Sequence, residues 1–200
     1  PSFDFDATNI MISEKSKTLF FTTKQGMLYS LDLDLNFNWA RSYVNGSIFG
    51  GYQFQGALDD DKKEKDIRIF LPNNNGYRYN FTLPNGNITN TGSIVSYMGN
   101  GTVEWITPVP GGGPLGDTAY GALALTNKLI VASTRYQGII LFLNKKTGQI
   151  LRTLQTAGSI SSAPAIANKA IYYPVGPGST AISFNRPMVL QNVILKIGLP

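Results

Sequence analysis

Apolar and polar residues alternate in short runs along most of the chain, and no stretch of eleven residues repeats its apolar positions at the i, i+3, i+4, i+7 spacing of an amphipathic helix. The pattern predicts strands over Asn9 to Ser13, Thr18 to Thr22, Met27 to Asp32, Ile67 to Leu71, Tyr77 to Thr82 and Gly121 to Leu125. It continues over Leu129 to Ser133, Ile139 to Asn144, Ala163 to Ala167, Ala170 to Pro174, Thr180 to Phe184 and Val193 to Ile197. Gly, Asn, Pro or Asp bounds each run, and these residues supply the positive or preset φ that turns need. Tyr77, Tyr79 and Phe81 alternate with Arg78, Asn80 and Thr82, as on a strand with one packed and one wet face.

Internal repetition is the strongest signal. Gly26-Met-Leu-Tyr-Ser-Leu-Asp32, Gly76-Tyr-Arg-Tyr-Asn-Phe-Thr82 and Gly138-Ile-Ile-Leu-Phe-Leu-Asn144 share a glycine, a strand and a small polar end, and Thr180 to Asn185 is a looser copy. The polar ends fall at 32, 82, 144 and 185, a spacing of 50, 62 and 41 residues, and four antiparallel strands in about 40 to 60 residues make one β-propeller blade. The expected fold is all-β, a β-propeller or propeller segment with about four blade-like four-stranded antiparallel units in a single domain over 1–200. The units fall roughly over 7–49, 50–105, 118–160 and 161–200, with a Gly/Pro-rich connection over 106–117. Leu28, Leu31, Phe81, Ile140, Phe142 and Ile166 occupy the apolar positions expected to face the inter-blade core.

The residues from Gly138 to Leu151, then Gly158-Ser-Ile-Ser-Ser-Ala-Pro-Ala-Ile166 and Ala170-Ile-Tyr-Tyr173, resemble the repeat of pyrroloquinoline-quinone-like propellers. That repeat runs as a strand ending in Asp or Asn, then Thr-Gly, then a Trp-bearing strand, then Gly-x-Ile-x-Ser-x-Pro-x-Val at the opening of the next blade. Met27 to Asp32 with Trp39 resembles it as well, and Arg152 stands where the family usually has Trp. The resemblance implies a fold shared by dehydrogenases, assembly scaffolds and hydrolases, so it speaks to architecture before activity.

Composition narrows the chemistry. The 200 residues hold no Cys and no His, which removes disulfide frameworks, zinc, haem and iron–sulfur ligation, and His-based acid–base catalysis. Apolar residues make up 42% and charged residues only 14%, and no apolar run reaches the length of a transmembrane helix. The chain begins at Pro1, as a processed protein or a segment of a longer one would. All twelve carboxylates lie in the first 117 residues beside nine basic residues, a net of −3, whereas the last 83 carry eight Lys and Arg and no acid. The cationic half suits anions or an acidic partner surface, or the loss of carboxylates in an acidic habitat. Its cations are scattered, which argues against nucleic acid.

Candidate chemistry is sparse. Asp59, Asp60, Asp61 and Asp66 form an acidic hairpin that could offer oxygen ligands to Ca²⁺, although Lys62, Lys63 and Lys65 compete and the turn glycine of a calcium loop is missing. No other cofactor is expected. Gly111 to Gly116 could cradle an anion on backbone N–H groups but lacks the Lys-Ser/Thr ending of a phosphate loop and reads as an inter-blade connection. Sequons at Asn45, Asn80, Asn87 and Asn100 are glycosylation candidates in a secreted protein. Glu104 beside Trp105, and Asp117 at the end of the glycine-rich stretch, are the acid–base candidates.

These features imply a non-catalytic extracellular or cell-surface propeller that acts as a binding or assembly scaffold. Its partners would be other protein chains, or segments of the same protein, that complete a ring. The alternative is a chain or fragment of a secreted propeller enzyme of an acidophile, tetrathionate hydrolase-like or a quinoprotein-type oxidoreductase.

Overall fold

The computed structural model describes residues 7–44, 46, 50–60, 67–111, 117–156, 158–176 and 193–198. They form antiparallel sheets and, among the described residues, no helix. The first sheet holds β1 (Ala7–Ser13), β2 (Thr18–Thr23), β3 (Met27–Asp32) and β4 (Phe37–Ser42) in sequence order. The second holds β5 (Ala57–Asp59) and β6 (Arg68–Asn73); the chain then detours through a small hairpin, β7 (Phe81–Thr82) and β8 (Ile88–Thr89). It returns as β9 (Ser93–Met98) and β10 (Val103–Pro108) to give the order β10-β9-β6-β5, running past the boundary expected at 105. The third is β11 (Ala124–Leu125), β12 (Leu129–Ser133), β13 (Ile139–Asn144) and β14 (Ile150–Gln155). The fourth is β15 (Ala165–Ala167), β16 (Ala170–Val175) and β17 (Val193–Gly198).

The sheets stack face to face in chain order. Met11, Phe20 and Leu28 of the first pack on Ile69, Leu71, Val95 and Tyr97 of the second. Phe70, Ile94 and Trp105 on the reverse of the second pack on Ile130, Ala132, Leu141 and Leu143 of the third. Val131, Ile140 and Phe142 on the reverse of the third pack on Ile171, Tyr173 and Val175 of the fourth. β5 lies beside both β1 and β11, so the first strands of successive sheets meet along a common line, as the inner strands of propeller blades do.

Three expectations change. Tyr77 to Asn80 is a turn and not a blade strand, because Asn75 and Arg78 take positive φ and the Asn75 side chain ties the loop to Tyr79 and Thr91. The strand that matches β3 and β13 in the second sheet is β9, which follows Gly92. Of the expected core residues Leu28, Ile140 and Phe142 are buried, but Leu31 lies on the outer face of the first sheet and Phe81 sits half-buried in the small hairpin. Ile166 is exposed on β15, the first strand of the fourth sheet. The strand expected at Thr180 to Phe184 falls outside the described residues.

Candidate functional site

The two acid–base candidates are held by neighbouring groups. Glu104 on β10 receives two hydrogen bonds from the Arg68 guanidinium on β6, at 2.8 and 3.0 Å, and one from the Ser96 hydroxyl on β9 at 3.1 Å. A bidentate carboxylate of this kind braces three adjacent strands. Asp117 is buried; its Oδ1 accepts the backbone N–H groups of Thr118 at 2.8 Å and Tyr136 at 2.9 Å, and its Oδ2 accepts that of Gln137 at 2.9 Å. It fixes the turn between β12 and β13. Arg135 in that turn lies 4.2 Å from the ring centre of Tyr120 and 5.4 Å from that of Tyr136.

The acidic hairpin does not gather oxygen ligands among the described residues. Asp59 is buried at the end of β5 and pairs at 2.7 Å with Lys145 of the third sheet, so an ammonium takes the place a cation would want. No group of three acidic side chains converges among the described residues, and Asp61 and Asp66 lie outside them, with Asp60 at their edge. Of the sequon residues Asn80, Asn87 and Asn100 are exposed, and Asn45 lies outside the described residues.

The largest feature that sequence reasoning did not anticipate is the outer face of the first sheet. Residues directly opposite on antiparallel strands project to the same side. One row therefore crosses all four strands as Ile10, Phe21, Tyr29 and Ala40, and the next as Ile12, Leu19, Leu31 and Phe37. Phe21 and Tyr29 stack at 4.6 Å, while Ile10, Ile12 and Phe37 are 62%, 52% and 65% exposed. A signal was present: Ile10-Met11-Ile12, Leu19-Phe20-Phe21 and Met27-Leu28-Tyr29 are apolar in both phases of the alternation, as strands covered on both faces read. On the described residues, one of the two faces is covered.

No family model matches the chain, and no curated protein matches it. Solved structures do. The computationally designed Ika4 protein is similar over 98% of this chain and 93% of its own, with a TM-score of 0.59 at 12% identity. The RRP9 WD40 repeats are similar over 98% of this chain and 52% of their own, with a TM-score of 0.59 at 8% identity. BBS1N, solved in complex with ARL6DN, is similar over 84% of this chain and 46% of its own, with a TM-score of 0.54 at 11% identity. The chain thus spans about half the length of the WD40 structure it matches, and the shared four-stranded sheets make its fold that of a β-propeller or propeller segment.

Proposed function

We propose that this chain is a binding or assembly scaffold of the pyrroloquinoline-quinone-like propeller type, working outside the cell or at its surface. The outer face of the first sheet carries the reading. It presents two full cross-strand apolar rows on the side corresponding to the one by which the later sheets pack on their predecessors. Such a face is costly to leave in water and suits a further sheet-like surface, from another chain or from another segment of the same protein. Glu104 and Asp117 favour this over the enzymatic alternative, since each carboxylate is engaged by strand-bracing or turn-forming donors.

Light scattering over a dilution series tests the scaffold reading, with association expected as concentration rises. Turnover of tetrathionate, or of alcohols with added quinone, by the purified chain would overturn it in favour of the enzyme.

A further inference from the structure

A cleft of about 400 Å³ opens between the second and third sheets, away from the outer face of the first. Three chain segments bring cations to it: Arg68 from the start of β6, Lys128 from the turn between β11 and β12, and Lys145 and Lys146 from the turn between β13 and β14. The charges are unevenly matched. Glu104 neutralises Arg68 and Asp59 neutralises Lys145. Lys128 and Lys146 form no ion pair among the described residues, leaving the lining with an excess of two positive charges. The sequence between Asp59 and Arg68, residues 60–67, contains four acids and three lysines, a net of −1 that is smaller than this excess.

The cations stand on a fixed frame. The Lys145 amide donates to the Lys128 carbonyl at 2.9 Å, tying the two turns together. The Thr126 hydroxyl accepts from the amides of Lys128 and Leu129, and Asn144 Oδ1 accepts from those of Lys146 and Thr147. The Asp59–Lys145 pair holds the ammonium of Lys145 toward the cleft at low exposure. Two uncompensated ammonium groups on a preordered double turn suit a doubly charged oxyanion, since Lys acts on phosphate as a point charge. The space exceeds what one free oxyanion fills and falls in the usual range for small organic ligands.

We propose that this cleft binds a small organic molecule bearing a phosphate or sulfate group, with Lys128 and Lys146 as its charge contacts. The site is independent of the scaffold reading. Titration calorimetry in low salt tests it with glucose 6-phosphate, glucose 6-sulfate, inorganic phosphate and inorganic sulfate as probes. Saturable binding is expected for at least one ester, weakening about tenfold or more in the Lys128→Gln/Lys146→Gln double variant and with added salt. Lys15→Gln, on the turn between β1 and β2, should bind as the parent does. An unchanged thermal transition in the double variant separates lost binding from lost fold. No saturable binding of either ester up to millimolar concentration would overturn the proposal. So would affinity unchanged in the double variant, or inorganic ions binding as tightly as the esters.

Discussion

The indole of Trp105 lies against Gly148 of the next sheet so closely that a Cβ built on that glycine would sit 2.5 Å from Trp105 Cε3. Trp39 stands in the same way over Gly101, where an added Cβ would lie 3.0 Å from its Cε3. Each tryptophan is the third residue of its sheet's last strand, and each glycine sits at positive φ in the turn before the following sheet's last strand. Thr107 reinforces the second contact by donating to the Gly148 carbonyl at 2.7 Å. The device repeats from first to second sheet and from second to third. Arg152 occupies the tryptophan position on the third sheet, and Leu35, at φ 67°, occupies the glycine position on the first.

Gly148→Ala should therefore destabilise the fold by about 1 to 3 kcal/mol, through the left-handed backbone it strains and the indole it displaces. Urea denaturation measures this. A loss below about 0.5 kcal/mol would mean that the Trp105 contact contributes little. Leu35→Gly should move the other way, gaining up to about 1 kcal/mol as the positive φ is relieved.

Phe142 is buried between the third and fourth sheets, and its truncation to Ala should cost about 3 to 5 kcal/mol. A loss under about 1 kcal/mol would place that ring outside the core and break the register of β13.

Asp117→Asn should destabilise by about 1 to 3 kcal/mol, because an amide cannot accept at both ends from the three N–H groups the carboxylate now satisfies. Amide exchange at Tyr136 and Gln137 is the local readout. Exchange unchanged from the parent would contradict the turn-fixing role.

The hydroxyls of Tyr52 and Tyr97 meet at 2.7 Å between the first two sheets. Burial pushes Tyr97 up to about 12 and holds Tyr52 well above its ordinary value. A raised folded value means that stability is complete below about pH 10, where the unfolded chain keeps its protons, and falls as the pH climbs from there toward 12. Alkaline difference spectroscopy should show Tyr52, Tyr97 and the likewise buried Tyr173 ionising only on unfolding. Reversible ionisation of all ten tyrosines near pH 10 with the fold intact would contradict this.

β4 and β14 went unread, but the first three strands of the first and third sheets were legible because their alternation and closing Asp32 and Asn144 recur. Both residues build the turn that follows: Asp32 accepts the Asp34 and Asn36 amides, and Asn144 those of Lys146 and Thr147. The second sheet was misread. Tyr77-Arg78-Tyr79 alternates more cleanly than Ile94-Val95, yet positive φ at Asn75 and Arg78 turns the former, while β9 is apolar on both faces because a sheet covers each. Glu104 and Asp117 stood out in the sequence as acid–base candidates, but sequence could not show that Arg68 or distant backbone amides would engage them. The outer apolar face stayed hidden for want of β4, since Phe37-Asn38-Trp39-Ala40 reads as a strand only once the bulge between Ser30 and Leu31 is known.

Sedimentation velocity over a range of concentrations, comparing the parent with Ile10→Lys/Ile12→Lys, tests the central claim most directly, with Ile88→Lys on the small hairpin as an exposed control. The account predicts concentration-dependent association in the parent and the control, and a folded monomer in the double variant. A parent chain that sediments as a monomer at every concentration, or a double variant that associates as the parent does, would contradict it.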